Sequence, residues 1–406
     1  MSLPHREFVG EKMPKLNPNQ IWSGDLNRIA MPKPAPASVG LYDTTLRDGE
    51  QAVGVVFGPE QKLELAKLLD SMGIDRIEAG FARVSEDDSR AIEMILAAGL
   101  KAEVWAFARA LIEDVDAVAK LGCRYTIIEA PLADRKLSAL GVSREKILQR
   151  ITDSITHANR QGLCVAFFGV DGSRADLHFL EAAYKTAIDA GAKEAVVVDT
   201  IGIAAPESVA FLVMRVIQWV GKDVPVHFHG HNDFGLATAS AVAAVQAGAS
   251  WIHGTLDGIG ERAGNANLAQ VALALGAIYG TETNLRLDRV RAASARLREI
   301  AKYDLEPWKP VVGDNLFIRE TGAVAAQFHI PEAIEPYSAE ILATRRAVVL
   351  GKKSGVASIR IKCEELGLDV PEDRHAALLA AVKGLAIRKR GLLTDAEFRE
   401  LAAVNR

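Results

Sequence analysis

Three histidines occupy alternate positions in the stretch HFHGHND at residues 227–233. In a β-strand, side chains at alternate positions lie on the same face, so His227, His229 and His231 would share one face. Two neutral imidazoles two residues apart at the end of a strand are suited to binding one divalent metal ion. We expect His229 and His231 to be metal ligands, and His227, one layer deeper, to form hydrogen bonds inside the fold.

A second polar stretch, DTTLRDGEQ at residues 43–51, follows another β-prone run. Asp48 would add a negatively charged carboxylate to a site otherwise made of neutral imidazoles. Arg47 stays protonated and presents a planar set of donors to an oxyanion. The alternative is that RDGE forms a solvent-exposed turn, in which aspartate and glycine are common.

A third polar stretch, GIGERAGNANL at residues 258–268, contains Asn265, whose amide oxygen could be a further metal ligand. The glycines of this stretch permit close approach of the backbone to a ligand. Glu261 and Arg262 are adjacent, and we expect them to pair with each other in a structural role.

The composition is that of an ordinary globular protein, with 49% hydrophobic and 25% charged residues among 406. The net charge is −4 and the densest basic run, at residues 387–390, is short, so we expect neither nucleic acid nor a membrane as a partner. The apolar stretches are interrupted by charge or proline, and the three cysteines lack metal-site spacing. These features indicate a cytoplasmic protein.

Eight short β-prone runs alternate with helical patterns: residues 39–45, 75–81, 102–107, 124–130, 163–169, 194–200, 224–230 and 250–256. Eight such units in about 240 residues predict an α/β fold, a closed (β/α)8 TIM barrel, in preference to an open doubly wound sheet. We expect an extended N-terminal arm over 1–36, the barrel over 37–282 and a smaller, mostly helical C-terminal domain over 283–406. Strands one, seven and eight adjoin in such a barrel, so the three polar stretches would meet at its C-terminal mouth.

Together the three stretches resemble the DRE-type TIM-barrel metallolyase superfamily, and within it the Claisen-condensation group of 2-isopropylmalate, homocitrate and citramalate synthases. TTLRDGEQ, HGHNDFGLA and GERAGNANL are similar to the motifs of that group, and VVLGKKSG at 348–355 is similar to its LGKHSG. The presence of residues beyond the barrel favours these synthases over the shorter 3-hydroxy-3-methylglutaryl-CoA lyases.

The resemblance implies that an acyl-CoA, most simply acetyl-CoA, condenses with a 2-oxo acid at one divalent metal ion (Zn, Mn, Mg, Co or Fe). It implies that Asp48, His229 and His231 bind the metal, that Asn265 lies beside them, and that Arg47 polarises the keto oxygen of the 2-oxo acid. A homodimer that serves amino-acid biosynthesis is also implied.

Three further residues receive substrate-binding roles from the resemblance. Gln51 and Thr200 would hold the carboxylate of the 2-oxo acid. Arg174, in the stretch GSR, would bind a second carboxylate or another polar end of the substrate.

The chain departs from the pattern of the group where proton transfer is concerned. In FFGVDGSR, Val170 replaces a catalytic glutamate, and in ETGAV, Val324 replaces a histidine that the smaller domain supplies. In LGKKSG, Lys353 likewise replaces a histidine. Because valine cannot transfer a proton, the usual base is missing.

Three explanations for the missing base remain open. A displaced base, for which Asp171, Glu320 and His329 are the candidates, could serve the same condensation. The enzyme could use a different acyl donor or acceptor. It could instead act as a lyase or aldolase that cleaves a 2-hydroxy acid or its CoA ester. The preserved loops disfavour a metal-binding protein without activity.

Overall fold

The computed structural model describes residues 16–31 and 36–404. These residues form two compact units, one of residues 25–304 and the other of residues 16–24 together with 305–404. The predicted arm over 1–36 therefore lies partly outside the described residues. Its described part contains a 3-10 turn at Pro18–Gln20 and a short helix, α1, at Leu26–Ala30.

Eight parallel strands of the first unit close into a barrel in which β1 pairs with both β2 and β8. The strands are β1 (Gly40–Asp43), β2 (Arg76–Glu78), β3 (Glu103–Arg109), β4 (Tyr125–Pro131), β5 (Cys164–Val170), β6 (Glu194–Asp199), β7 (Val226–Gly230) and β8 (Trp251–Gly254). Each overlaps one of the eight predicted runs. The predicted TIM barrel is confirmed, and the open sheet was the wrong alternative.

Helices connect the strands and cover the barrel. They are α2 (Pro59–Ser71), α3 (Glu86–Ala97), α4 (Ile112–Lys120), α5 (Asp134–Leu140), α6 (Arg144–Arg160), α7 (Leu177–Asp189), α8 (Pro206–Val220), α9 (Ala237–Gln246), α10 (Leu268–Ala274) and α11 (Leu287–Ala301). Pro59 and Pro206 begin α2 and α8, where a backbone N–H is not needed for the helix. Ser85 and Ser143 cap α3 and α6 through their hydroxyl oxygens.

Inward-facing side chains fill the barrel, and the layer at the N-terminal ends of the strands is polar. His227 Nε2 lies 2.7 Å from Glu194 Oε2, and its Nδ1 lies 2.9 Å from His253 Nε2. Arg76 forms a bidentate ion pair with Glu194 and stacks on the Trp251 ring. The prediction that His227 is a deeper, hydrogen-bonded residue is confirmed.

The second unit contains four α-helices among its described residues, α12 (Gly322–Ala325), α13 (Val356–Leu366), α14 (His375–Lys389) and α15 (Asp395–Val404). It also has a short parallel sheet of β9 (Ile318–Arg319) and β10 (Ala347–Val348), which the sequence did not predict. Ile21 forms an antiparallel bridge with Tyr337, so this part of the N-terminal segment is anchored in the second unit. No described helix is long and apolar enough to cross a bilayer.

Candidate active site and metal centre

Asp48, His229 and His231 converge at the C-terminal mouth of the barrel. The two imidazole Nε2 atoms are 3.4 Å apart, and Asp48 Oδ2 lies 3.4 Å from that of His229 and 3.5 Å from that of His231. All three side chains are buried. The structure therefore brings together the three residues that the sequence predicted as metal ligands.

The local backbone explains this convergence. His229 lies on β7 beside Val198 of β6, and His231, just beyond the strand, forms an isolated antiparallel bridge with Asn265. Asp48 follows β1 in a tight turn in which its backbone N–H donates to the Thr44 carbonyl oxygen at 2.9 Å. The Phe168 ring packs edge-on against His229 with a centroid separation of 5.0 Å and restricts its rotation.

The unpaired atoms of this cluster fit a metal ion. Among the described residues, none forms a hydrogen bond with Asp48 Oδ2 or with Asn265 Oδ1, although both atoms are buried. A buried oxygen without a partner is costly, and a cation between these atoms would remove that cost. Two imidazole nitrogens with one carboxylate and one amide oxygen suit a divalent metal, and this mixed donor set leaves its identity open.

The charge states also fit metal binding, which needs an ionised carboxylate and neutral imidazoles. Burial alone would raise the pKa of Asp48, but the Arg47 guanidinium and the two imidazoles lower it well below its usual range. Burial lowers the pKa of His231 to about 4, although Asp48 opposes this shift. At neutral pH Asp48 thus carries a negative charge and His231 has a lone pair available for a metal ion.

Arg47 is held beside the cluster by Glu78 of β2, a residue that the sequence did not single out. The Arg47 Nε donates to Glu78 Oε2 at 2.7 Å, and the guanidinium lies over the Phe107 ring at 4.4 Å. Arg47 Nη1 is 3.4 Å from Asp48 Oδ1. Its Nη2 is buried and has no hydrogen-bond partner among the described residues, so it is free to donate to a ligand oxygen.

The loop after β8 supports Asn265 and contacts the segments that follow β6 and β7. Gly260 has φ of +154°, and a Cβ at this position would lie 2.2 Å from Asn265 Nδ2. Arg262 pairs with the adjacent Glu261, as predicted, at 3.0 Å. It also pairs with Asp233 at 2.9 Å and donates to the Thr200 carbonyl oxygen at 2.7 Å.

Asp171 and Arg174, predicted for separate roles, bind each other in the turn after β5. Arg174 Nε donates to Asp171 Oδ1 at 2.9 Å and Nη2 donates to Oδ2 at 2.6 Å. The Thr200 hydroxyl accepts from the Asp171 backbone N–H at 2.8 Å and keeps its own proton for another acceptor. Gln51 is exposed at the end of a 3-10 turn that begins at Gly49.

Glu320, Val324 and His329 belong to the second unit. Lys353 Nζ lies 2.8 Å from Glu320 Oε2, and the Lys353 backbone N–H donates to Glu320 Oε1 at 3.0 Å. Partial burial alone would raise the pKa of Glu320, but Lys353 lowers it overall. Glu320 is therefore a weaker proton acceptor than an unpaired glutamate.

Val170, which stands where the related synthases were expected to have a glutamate, lies in the apolar cluster of the barrel interior and is 8% exposed. A different carboxylate, Glu129 of β4, reaches the mouth from the neighbouring strand. The sequence contained a signal for both Glu78 and Glu129, since Glu129 is the only acidic residue of the run 124–130 and Glu78 lies in the middle of the run 75–81. An acidic side chain on a buried strand needs a partner or a function.

Comparison with known proteins identifies relatives of the chain. The HMGL-like family model matches residues 38–297. Homocitrate synthase AksA of Methanopyrus kandleri is 41% identical over 370 residues, which cover 90% of this chain and 92% of that protein. The 2-isopropylmalate synthase of Methanocaldococcus jannaschii is 37% identical over 342 residues, covering 83% and 65%. The HMG-CoA lyase of Bacillus subtilis has a TM-score of 0.59 at 20% identity, covering 67% and 97%, and so shares the fold.

Proposed function

The chain belongs to the HMGL-like family and is an enzyme of the 2-isopropylmalate and homocitrate synthase type, and we propose that it condenses acetyl-CoA or another acyl-CoA with a 2-oxo acid. The products are a 2-hydroxy di- or tricarboxylate and free CoA. The single observation that carries this proposal is the convergence of Asp48, His229 and His231 beside the unpaired Nη2 of Arg47.

The metal-binding role falls to Asp48, His229 and His231, with Asn265 contributing its amide oxygen. A divalent ion held there (Zn, Mn, Mg, Co or Fe) supplies Lewis acidity to the carbonyl group of a 2-oxo acid. Arg47 Nη2 donates to the keto oxygen, on which negative charge develops as the new carbon–carbon bond forms. Because the ion pair with Glu78 fixes the guanidinium beforehand, little reorganisation is needed during the reaction.

The substrate carboxylate is assigned to the Thr200 hydroxyl and the Gln51 amide. The hydroxyl oxygen accepts one hydrogen bond from the Asp171 backbone N–H, so its proton remains available to an acceptor such as a carboxylate oxygen. Arg174 would bind a second polar end of the substrate with the donors that its pairing with Asp171 does not use. Asp171 and Glu320 stay candidate bases, although both carboxylates are paired with cations.

The proposal is tested with metal-loaded full-length protein and a panel of 2-oxo acids, each combined with acetyl-CoA and with longer acyl-CoAs. Free thiol released by CoA is followed over time. Release that depends on both substrates and on the metal supports the condensation. No release from any pair, together with cleavage of 2-hydroxy acids or their CoA esters, would instead establish the lyase or aldolase alternative that Val170 and Val324 leave open.

An Arg47→Lys variant provides the matched control for this assay. Lysine keeps the positive charge but cannot donate to Glu78 and to a ligand from one planar group. We expect metal binding close to that of the wild type and a loss of kcat/KM of roughly 100-fold, in line with the loss of one preorganised donor.

We also propose that the enzyme is a cytoplasmic homodimer. Leu26 and Ile29 of α1 are 73% and 74% exposed, and apolar side chains of this size are suited to contact with a second copy. Light scattering after size-exclusion chromatography tests this. A mass of one chain at micromolar concentration would refute the dimer.

A further inference from the structure

Glu129 is a carboxylate that the proposed function leaves without a role. In the barrel it pairs in register with Arg109 of β3 and with Phe168 of β5. Side chains alternate along a strand, so Glu129 faces the same side as Ile127, which belongs to the cluster in the barrel interior. Glu129 is partly exposed, unlike Ile127. Its carboxylate therefore lies at the mouth of the barrel.

Glu129 is also a close neighbour of Val170. Val170 pairs with Pro131, one strand across from Glu129 and two residues further along, and both side chains face the interior. A strand spacing of about 4.8 Å and a rise of about 6.6 Å over two residues give a Cα separation of about 8 Å. A glutamate at position 129 can thus present its carboxylate to the space that a glutamate at position 170 would reach.

The surroundings of Glu129 differ from those of the other carboxylates at the mouth. Among the described residues, none donates a hydrogen bond to its side chain, whereas Glu78 accepts from Tyr42, Thr44 and Arg47. The nearby Arg109 is paired with Asp114 through two hydrogen bonds. Glu129 is therefore free to accept a proton.

The charged groups that face Glu129 are Arg47, Lys136 of α5, Arg109 and Glu78. Burial raises the pKa of Glu129 to about 7, even though the three cations lower it. A carboxyl group with this pKa exists in both protonation states near neutrality. Such a group can both accept and return a proton in one catalytic cycle.

Glu129 lies on the wall of the mouth opposite the three candidate metal ligands, Asp48, His229 and His231. The cluster comes from the ends of β1 and β7, and in the closed barrel β4 is three strands from each. Phe168, the register partner of Glu129, packs edge-on against the His229 ring. An acyl group that lies between the two walls would have the 2-oxo acid on one side and Glu129 on the other.

We propose that Glu129 is the catalytic base that replaces the residue lost at Val170, an inference that rests on the proposed condensation. Its carboxylate takes a proton from the carbon next to the thioester carbonyl, and the electron pair of that C–H bond forms the enolate. The enolate carbon bonds to the keto carbon of the 2-oxo acid, the resulting alkoxide takes a proton from water, and protonated Glu129 releases its proton to water. Water then hydrolyses the thioester to a carboxylic acid and free CoA.

The test compares wild type with Glu129→Gln and Glu129→Asp in the metal-loaded full-length protein. Glutamine cannot accept the proton, so we expect kcat to fall by about 100-fold or more, with metal content and the KM of the 2-oxo acid unchanged. Aspartate should recover part of the rate. The control, Glu113→Gln, changes an exposed carboxylate of α4 and should leave kcat unaltered.

The pH profile separates proton transfer from a structural role. Activity of the wild type should rise with pH through about 7, and the residual activity of Glu129→Gln should lack that step. An infrared difference spectrum between the two proteins should show a carboxylic acid band that disappears over the same range. A raised KM with unchanged kcat in Glu129→Gln would overturn the proposal, because Glu129 would then act through Arg47.

Deuterium exchange distinguishes failure of this inference from failure of the proposed condensation. In heavy water the wild type should exchange the methyl protons of acetyl-CoA in the presence of a 2-oxo acid, and Glu129→Gln should not. If no thiol is released but this difference is observed, the condensation fails and the role of Glu129 stands. If the two proteins exchange equally, or neither exchanges, Glu129 is not the base.

Discussion

Arg47 and Glu78 form a buried ion pair that connects the turn after β1 to the end of β2, with 2.7 Å between Nε and Oε2. The Glu78 carboxylate also accepts hydrogen bonds from the Tyr42 and Thr44 hydroxyls. The guanidinium is thus fixed on one edge by Glu78 and on one face by the Phe107 ring. The Nη2 atom of Arg47 has no hydrogen-bond partner among the described residues, so it is a rigidly held donor beside the candidate metal ligands.

Replacement of Glu78 by glutamine should weaken both stability and catalysis. The change leaves Arg47 buried without its main counter-charge, so we expect the free energy of unfolding to fall by about 3 kcal/mol. We expect kcat/KM for the 2-oxo acid to fall by roughly 100-fold because the guanidinium loses its orientation. The control Glu64→Gln breaks an exposed pair with Arg296 and should cost less than about 1 kcal/mol. Unchanged kcat/KM in Glu78→Gln would contradict this role.

The buried Asp43 should make stability depend on pH. Burial raises the pKa of Asp43 from 3.8 to about 7, against two hydrogen bonds from Thr45. Between these values the folded protein holds a proton that the unfolded chain releases, so the free energy of unfolding falls as pH rises through this window. Between about pH 4 and pH 7 the free energy of unfolding of the wild type should fall by up to about 1.4 kcal/mol per pH unit relative to that of Asp43→Asn. Urea unfolding at several pH values measures this difference. If the free energy of unfolding depended on pH in the same way in both proteins, the prediction would be refuted.

Alanine at Gly260 should disturb the metal site through Asn265. The new Cβ would overlap Asn265 Nδ2, whose amide donates to the Ile259 carbonyl oxygen at 3.1 Å. We expect metal affinity to fall by about 10- to 100-fold, as for other residues that support a ligand. Gly162→Ala is the matched control, because Gly162 also has a positive φ, +81°, but no atom within 4 Å of the added Cβ. Equal metal affinity in both variants would contradict the prediction.

The barrel and the cluster of ligands could be predicted because both follow from simple periodicities. The alternation of strands with helices gives the barrel, and the two-residue period of β7 places His229 and His231 on one face. The closed order of the strands then brings Asp48 to them. These relationships depend on the pattern of residue types and not on the details of packing.

The pairings between side chains could not be predicted, because they depend on register and on local turns. The register of β1 and β2 decides that Glu78 lies within reach of Arg47. A 3-10 turn after β5 brings Arg174 back onto Asp171, which the sequence assigned to a different role. The position of Glu129 beside Val170 likewise follows from the register of β4 and β5.

Metal titration of the purified protein tests the central claim, that Asp48 and two histidines hold one catalytic ion. Protein stripped with a chelator is titrated with Zn or Mn in a calorimeter, and we predict one site per chain. Asp48→Asn and His229→Ala should bind the metal more than about 100-fold more weakly, whereas His178→Ala, on the exposed face of α7, should bind like the wild type. A wild type that binds no metal, or a His229→Ala variant that binds as tightly as the wild type, would contradict the account.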